Sequence, residues 1–281
     1  MKTLLNYLFF FFPSFINVPL RRLLGHKIGK GSKIRIGTLI QCNSINIGSN
    51  TTIGPFTFIK ADELIIGNYT AIKSIAAIST RVINFGNYVH IAPLTIISSE
   101  FTEFSIIHIG DHSRLFPFCW LDTGNGIYIG KHVGVGGHTL IFTHGVWPNY
   151  LNGAPVSYGP VKINNNVWLP WRVFILPNVT IEEDTIVAAN SLVNKSFQKN
   201  VLIGGNPAKV LKENIFSPLE KSEKIKRFNV ILEDFSKYVN FKYKLNTSLG
   251  SNELILPNFK IVLDKTEKLA NGDLLFLMNE E

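Results

Sequence analysis

The sequence is poor in cysteine and in charge. It has two cysteines in 281 residues, Cys42 and Cys119, and they form neither a C-x-x-C motif nor a disulfide framework. A reduced, cytosolic protein is the simplest interpretation of two separated thiols. Charged residues make up 17% of the chain and hydrophobic residues 46%, which excludes intrinsic disorder and allows a large buried core.

The sequence also lacks an apolar run long enough to span a membrane. The apolar stretch at residues 4–12 is followed by Pro13 and is shorter than the roughly 20 residues that a spanning helix needs. No small-residue cleavage site follows it, so we expect no signal peptide. Two interpretations stay open, a short helix that caps the repeat core and an interfacial membrane anchor. The basic residues that would assist an anchor are Arg21, Arg22, Lys27 and Lys30.

The formal net charge of +8 predicts an anionic partner, which is a nucleic acid, an acidic lipid surface or a phosphorylated small molecule. Basic residues are locally dense only at Arg21-Arg22 and at residues 221–227, and no nucleic-acid motif accompanies them. Nucleic acid is therefore the least favoured partner, and we expect none.

Six-residue units repeat from Ile28 onward, and each begins with an aliphatic residue that glycine often follows. The clearest starts are Ile28, Ile47, Ile66, Phe85, Ile109 and Ile129. The steps between them are 19, 19, 19, 24 and 20 residues, which fits three hexads per turn with extra residues at some corners. This arithmetic predicts an all-β fold, a three-sided parallel β-helix of about nine turns. The first residue of each hexad would point inward, and the glycine beside it would meet the backbone demands of the corner.

Three segments follow from the pattern. Residues 1–27 form an N-terminal apolar helical cap, residues 28–213 the β-helix with a loop at 145–160, and residues 214–281 a small α+β appendage. In the appendage, the capping box at 217–220 predicts a helix from about Pro218 to Val239. Strands are predicted at 241–245, 253–256, 259–263 and 274–277, with a turn at Asn271-Gly272.

Specific motifs surround the 145–160 loop. Thr143-His144 and Trp147-Pro148 are followed by the segment Gly159–Pro170, which reads GPVKINNNVWLP, and later by Gly205–Val210, which reads GNPAKV. With the hexads, these motifs resemble the hexapeptide-repeat acyltransferases, in particular their sugar O-acetyltransferase branch, over roughly residues 28–212. The resemblance implies a left-handed β-helix, direct transfer from acetyl-CoA, and a homotrimer with active sites between adjacent prisms. Handedness comes from the resemblance alone, because general crossover preferences favour the right-handed form.

His144 is the candidate catalytic base in this comparison. A neutral histidine is able to take the proton of a sugar hydroxyl while that oxygen attacks a thioester carbonyl. The alternative role is a hydrogen bond that closes the loop, but the break in the repeat and the matching flanks favour catalysis. Neither cysteine has a recognisable nucleophile context, so no acyl-enzyme is expected.

The resemblance also assigns residues to both substrates. Those along the acetyl-CoA donor are Trp171, Ala189, Asn194, Lys195, Lys209 and Lys212. Lys209 and Lys212 would meet the nucleotide phosphates, although solvated surface is an equal alternative for a lysine. Pro170-Trp171 replaces a Gly-small pair of the family, so the acyl tunnel would be narrower or differently shaped. For the acceptor, Asp122 matches a residue that contacts a sugar hydroxyl, and Trp147 and Tyr150 offer rings that stack on sugars or pack the loop.

Six further histidines raise a zinc hypothesis, which the spacing disfavours. His132, His138 and His144 are six residues apart, so they lie on successive sides of a prism and do not converge on one metal. His112 and His132 are predicted to stack on adjacent turns, as are His90 and His108. We expect no metal.

The sequence thus predicts a cytoplasmic acetyl-CoA-dependent O-acetyltransferase that modifies a sugar hydroxyl in surface-polysaccharide or glycolipid biosynthesis. Its N-terminus would allow peripheral contact with the inner face of the membrane. An N-acyltransferase acting on a nucleotide-linked amino sugar is the nearer alternative. A zinc-dependent or non-catalytic β-helix is the more distant one.

Overall fold

The computed structural model describes residues 7–145, 149–250, 252–257, 259–262 and 274–275. The chain folds as two compact units, Met1–Phe216 and Ser217–Glu281. The first unit holds α1 (Ser14–Leu23), preceded by helical residues 7–10, and the second holds α2 (Lys221–Tyr243).

The strands of the first unit are short and numerous. They are β1 (Lys27–Ile28), β2 (Lys33–Ile34), β3 (Leu39–Ile47), β4 (Thr52–Ile53), β5 (Phe58–Ile66), β6 (Ala71–Ile72), β7 (Ala77–Ser79), β8 (Val82–Phe85), β9 (His90–Ile91), β10 (Ile96–Ser98), β11 (Ile106–Ile109), β12 (Arg114–Leu115), β13 (Trp120–Asp122), β14 (Ile127–Ile129), β15 (Gly134–Val135), β16 (Leu140–Ile141), β17 (His144–Gly145), β18 (Ser157–Tyr158), β19 (Val161–Ile163), β20 (Trp168–Leu169), β21 (Phe174–Ile175), β22 (Thr180–Ile181), β23 (Ile186–Val187), β24 (Leu192–Val193), β25 (Val201–Gly205) and β26 (Ala208–Glu213).

These strands wind into a parallel β-helix. One sheet stacks β2-β4-β6-β9-β12-β15-β20-β23-β25 in parallel and ends with β26, which is antiparallel to β25. A second, 14-stranded sheet covers the rest of the prism, because β3 and β5 bend around a corner and join two of its sides. The predicted solenoid of about nine turns is confirmed.

The hexad starts pair in register, as the repeat predicts. Successive partners are Ile28, Ile47, Ile66, Phe85, Ile109, Ile129, Ile163 and Ile181. All eight side chains are buried in one continuous core. Burial of an aliphatic side chain contributes about 1.5–3 kcal/mol, so this column is a main source of stability. The step from Phe85 to Ile109 has its extra residues between β10 and β11, and the step from Ile129 to Ile163 has them between β16 and β19, in the loop that contains β17 and β18.

The corners differ from the prediction in one respect. The glycine after each aliphatic residue is required by close approach of the next turn, because a Cβ on Gly48 would lie 2.6 Å from the carbonyl carbon of Gly67. The left-handed conformation falls two residues later, for example at Tyr69 with φ of +54° and at His112 with φ of +58°. The left-handed conformation therefore falls at the fourth hexad position, which Asn, Tyr and His occupy at several corners and bulkier residues such as Phe56 and Ile75 at others.

The histidine stacking prediction is half right. His112 and His132 stack with ring centroids 5.0 Å apart and parallel planes. His90 and His108 do not stack, because His90 pairs with Arg114 in one sheet whereas His108 pairs with Tyr128 in the other. The turn between them has 24 residues, so a spacing of eighteen does not correspond to one turn.

Helix α1 packs onto the first turn of the prism. Val18 joins the β-helix core, and the Ser14 hydroxyl accepts a hydrogen bond of 3.0 Å from the Ile34 amide. The Arg22 side chain donates to the carbonyl oxygens of Ile28 and Gly29, both at 2.9 Å. No helix in the described part of the chain is long and apolar enough to cross a membrane.

The second unit corrects the predicted helix boundaries. Helix α2 begins at Lys221 rather than Pro218, and Glu220 caps it without a side-chain hydrogen bond. It continues through Tyr243 and ends where Lys244 adopts φ of +55°. The strand predicted at 241–245 is therefore wrong, because residues 241–243 are helical.

A four-stranded sheet completes this unit. Its strands are β27 (Ser248–Gly250), β28 (Glu253–Leu256), β29 (Phe259–Val262) and β30 (Leu274–Leu275). The prediction at 253–256 is confirmed, and β29 and β30 lie within the segments predicted at 259–263 and 274–277. Residues 263 and 276–277 and the predicted Asn271-Gly272 turn lie outside the described residues.

Candidate active site

His144 lies at the root of the loop that interrupts the repeat. It is the first residue of β17, and β17 pairs antiparallel with β18, so the loop returns to the strand that carries the histidine. The Gly159 amide donates to the carbonyl oxygen of Thr143 at 3.1 Å and closes the loop behind it. This pairing fixes the backbone of His144 while its side chain stays half exposed.

The ring of His144 contacts the carboxylate of Asp122 from the turn below. Nδ1 of His144 is 2.6 Å from Oδ2 of Asp122. The histidine side chain is 49% exposed, whereas the aspartate side chain is 10% exposed. A nearly buried carboxylate therefore orients a ring whose other edge faces outward.

Hydrogen bonds around Thr143 define which atom donates. The Asn125 amide donates to Oγ1 of Thr143 at 2.9 Å, so this hydroxyl directs its own proton to Oδ2 of Asp122 at 3.0 Å. The Thr143 amide also donates to Oδ2, at 3.1 Å. Because Oδ2 accepts from both groups, it also acts as the acceptor toward His144, and Nδ1 carries the proton.

This tautomer leaves Nε2 of His144 with a free lone pair when the ring is neutral. Across the described residues, Nε2 has no hydrogen-bond partner. The arrangement is suited to removing a proton from a group that approaches from solvent, with Asp122 stabilising the resulting imidazolium.

The corner beneath this pair is closed by buried hydroxyls. Oγ1 of Thr123 lies 2.8 Å from Oγ1 of Thr80 and 3.0 Å from Oγ of Ser99, with Thr80 and Thr123 fully buried. Side chains that satisfy one another inside a corner are costly to rearrange, which makes the position of Asp122 rigid.

Aromatic rings border the site on the same side of the prism. The Phe142 ring lies 6.3 Å from the His144 ring, edge to face, and it contacts Trp120 and Phe174 in turn. Tyr158 stands opposite His144 in the β17–β18 pair, and its side chain is exposed. No motif in the sequence pointed to Tyr158, since its pairing with His144 depends on how the loop folds back.

The predicted acceptor residues are distributed unevenly. Asp122, expected against a sugar hydroxyl, contacts His144 in the structure. Tyr150 is exposed in a single helical turn at Tyr150–Asn152 within the loop, and Trp147 lies outside the described residues. Asn125 and Thr143, which fix the orientation of Asp122, were not predicted as functional residues.

The predicted donor residues occupy three places. Asn194 and Lys195 lie at the same corner as His144, two turns further along, which corresponds to about 10 Å at the usual strand spacing. Trp171 and Ala189 lie at the preceding corner on successive turns, where the Asn190 amide donates to the Trp171 carbonyl oxygen.

Lys209 and Lys212 are exposed on β26, the antiparallel strand that ends the prism. Within one chain, the described contacts do not join any of these six residues to His144.

In the part of the chain that the structure describes, the other reactive groups do not form a second centre. Burial raises the pKa of both thiols, Cys42 and Cys119, to about 12, so neither is a ready nucleophile. The described residues contain no group of three His, Cys, Asp or Glu side chains able to hold a metal. A cavity of about 410 Å³ lies beside the first turns, and none of the residues lining it belongs to the site around His144.

The fold and this site define the class of protein as a hexapeptide-repeat β-helix with an Asp–His pair at a loop root. No family model matches the sequence. Galactoside O-acetyltransferase of Escherichia coli strain K12 is 28% identical over 132 residues, covering 37% of this chain and 63% of the relative.

WcaF of the same strain, whose name describes a colanic acid biosynthesis acetyltransferase, is 30% identical over 106 residues, covering 36% of this chain and 58% of WcaF. The chain thus spans less than two thirds of either curated relative.

Among solved structures, the hexapeptide-repeat containing acetyltransferase VCA0836 from Vibrio cholerae is 30% identical, with a TM-score of 0.37, covering 44% of this chain and 72% of VCA0836. A second structure of that protein is a complex with acetyl-CoA. In these comparisons the chain is similar to hexapeptide-repeat acetyltransferases.

Proposed function

We propose that the chain is an acetyl-CoA-dependent O-acetyltransferase that acts on a sugar hydroxyl during surface-polysaccharide or glycolipid assembly. The observation that carries this proposal is the contact of His144 Nδ1 with Asp122 Oδ2, which leaves Nε2 available as a base. The names of the relatives, which include a galactoside O-acetyltransferase and a colanic acid biosynthesis acetyltransferase, support the sugar as acceptor.

In the proposed reaction, Nε2 of His144 takes the proton of the acceptor hydroxyl. The oxygen attacks the thioester carbonyl carbon, and the resulting tetrahedral intermediate expels coenzyme A as its C–S bond breaks. The imidazolium then gives its proton to the departing thiolate, so the neutral ring is restored. Asp122 accepts from Nδ1 throughout and stabilises the imidazolium. No side chain of the protein is acylated, in agreement with two buried or partly buried thiols of raised pKa.

The donor would lie along the edges of the prism. Asn194 and Lys195 lie at the same corner as His144, whereas Trp171 and Ala189 lie at another corner. The four residues of one chain therefore do not surround a single donor site. We propose a homotrimer in which the edges of two neighbouring prisms bound one site, and the exposed lysines of β26 contact the phosphates of the donor.

For the acceptor, Tyr158 stands beside the base and Tyr150 stands further out in the same loop, where both rings are exposed. Rings in these positions suit stacking on the apolar faces of a sugar. We place the reaction in the cytoplasm, where acetyl-CoA is available.

The test begins with a calorimetric titration of acetyl-CoA, which requires no knowledge of the acceptor. Thiol release is then followed with a panel of sugars that offer hydroxyl or amine acceptors. We expect saturable binding, turnover with hydroxyl acceptors, and loss of turnover but not of donor binding in His144→Gln. His132→Gln is the matched control, because His132 is an exposed histidine stacked on His112 at another corner.

Two results would contradict the proposal. Absence of acetyl-CoA binding would remove the donor, and full turnover by His144→Gln would remove the base. Turnover with amine acceptors alone would establish the N-acyltransferase alternative instead.

A further inference from the structure

The positive charge of the protein is concentrated at one end of the prism. Residues 1–61 contain eight Lys or Arg and no Asp or Glu. The whole chain has 28 basic and 20 acidic residues, so residues 62–281 hold 20 of each and are neutral. The net charge of +8 therefore belongs to residues 1–61. Seven of their eight basic residues lie in α1 and the first turns of the β-helix, and Lys2 lies outside the described residues.

Helix α1 at this end has an inverted arrangement of polar and apolar residues. At 100° per residue, Phe15, Pro19 and Leu23 lie within one narrow sector, and all three are exposed. Asn17 and Arg21 lie on the opposite side and are fully buried. A helix on the surface of a globular protein usually shows the reverse pattern.

The buried polar side chains attach the helix firmly to the prism. The Asn17 amide nitrogen donates to the Phe9 carbonyl oxygen at 2.9 Å, and Nε of Arg21 donates to Oδ1 of Asn17 at 2.8 Å. The Arg21 guanidinium also lies 4.4 Å from the centroid of the Phe9 ring. Since these contacts fix the inner side, the helix does not rotate to bury its apolar side.

The outward side presents large apolar side chains in close succession. Phe15 is 77% exposed and Leu23 is 82% exposed. Nearby residues in the sequence add further exposed rings and aliphatic side chains. These neighbours are Tyr7, Leu8, Phe11, Ile16 and Leu24. Large apolar side chains exposed within one short segment are typical of a site of interaction.

Exposed cations flank this surface. Lys27, Lys30, Lys33 and Arg35 all belong to the first turn of the β-helix, which α1 contacts directly, and all are exposed. An apolar strip bordered by cations and free of carboxylates is complementary to the interface of an anionic bilayer, where acyl chains lie beneath negative headgroups.

We propose that α1 and the first turn form a peripheral binding site for anionic phospholipid membranes. Phe15, Leu23 and their apolar neighbours enter the interface, and the lysines contact the headgroups. The prism would then stand on the membrane by its first turn. This inference does not rest on the proposed acetyl transfer.

The experiment is co-sedimentation of the full chain with phosphatidylcholine vesicles, with and without phosphatidylglycerol, at low and high salt. We expect binding only to vesicles with phosphatidylglycerol, weakened by salt. Lys30→Gln with Lys33→Gln should weaken binding about 25-fold, at about fivefold per lysine. Phe15→Ser with Leu23→Ser should abolish it.

Matched controls have the same chemistry elsewhere. Lys224→Gln with Lys226→Gln removes two exposed lysines of α2, and Leu151→Ser removes an exposed leucine of the loop. Both variants should bind vesicles as the parent chain does. Circular dichroism should show that every variant is folded.

Three outcomes would overturn the proposal. The parent chain fails to bind phosphatidylglycerol vesicles, or it binds neutral vesicles equally well, or the Phe15→Ser and Leu23→Ser variant binds unchanged. If the parent chain does not bind vesicles and this variant loses only an oligomer in size-exclusion chromatography, a second copy of the chain covers the surface instead.

Discussion

Asp122→Asn separates the role that the structure gives this residue from the role that the sequence predicted for it. In the structure, Oδ2 of Asp122 accepts from the His144 ring, the Thr143 amide and the Thr143 hydroxyl. An asparagine keeps the volume but offers one neutral acceptor oxygen. It therefore preserves the tautomer of His144 only if its oxygen takes the place of Oδ2, and it loses the negative charge in either orientation.

The magnitude follows from the distance between the two groups. Opposite unit charges 2.6 Å apart attract by about 1.6 kcal/mol at a dielectric constant of about 80 and by about 6 kcal/mol at about 20. His144 is half exposed, so an intermediate value of about 3 kcal/mol applies to the imidazolium formed in the transition state. This loss corresponds to a decrease of kcat by roughly a hundredfold.

The assay is steady-state thiol release, with acetyl-CoA and the sugar acceptor varied in turn. A positioning residue that acts through His144 lowers kcat and leaves the KM of both substrates nearly unchanged. Asp111→Asn is the matched control, because its carboxylate is held by the Asn87 amide and Lys131 at a different corner. It should retain kcat.

Two results would refute this reasoning. If Asp122→Asn keeps kcat within about twofold while His144→Gln is inactive, the carboxylate does not stabilise the imidazolium. If the variant instead raises only the KM of the acceptor, Asp122 contacts the sugar hydroxyl, as the sequence comparison predicted.

Further outcomes are expected at other positions. Thr143→Val removes the hydroxyl that bonds both the Asn125 amide and Asp122. The free energy of unfolding should therefore fall by about 1–3 kcal/mol in urea titrations, and kcat should fall as well. Recovery of both quantities in Thr143→Ser would attribute the effect to the hydroxyl. Tyr158→Ala should raise the KM of the acceptor about fivefold, because a ring that stacks on the sugar is lost. Tyr69 is an exposed tyrosine of another corner, so Tyr69→Ala should leave this KM unchanged. Equal effects of the two variants would show that Tyr158 does not contact the acceptor. Burial lowers the pKa of His90 from 6.5 to about 4, so the unfolded chain binds a proton that the folded chain does not, and stability should fall as pH decreases from about 6.5 to 4. The difference between the urea midpoints at pH 7 and pH 5 should be smaller in His90→Gln than in the parent chain. An equal difference in the two proteins would contradict the attribution of this pH dependence to His90.

The repeat was predictable because a β-helix is specified by local, periodic constraints. Every turn places an apolar residue in the same inward column, so the even spacing of Ile28, Ile47 and Ile66 predicted their pairing. The prediction that His90 and His108 stack was wrong, because that turn is longer than eighteen residues. The two histidines therefore lie on different sides of the prism.

The boundaries of α2 were predicted less accurately for a different reason. Residues 241–245 alternate in polarity and suit a strand, but Phe241 continues the helix and remains exposed. The helix ends only where Lys244 takes a left-handed conformation, which no pattern of polarity encodes. Local alternation over five residues is compatible with either structure.

By itself, the sequence determined the periodic core, the position of the loop that interrupts it, and His144 as the candidate base, because each is visible in spacing or in a motif. Only the tertiary structure decided that Asp122 lies against His144, that Thr143 and Asn125 orient it, and that Tyr158 stands opposite. These residues come from different turns or from the two ends of a loop, so their contacts depend on how many residues each turn contains and on where the loop returns. Such contacts arise when turns stack, and no single segment of the chain carries them.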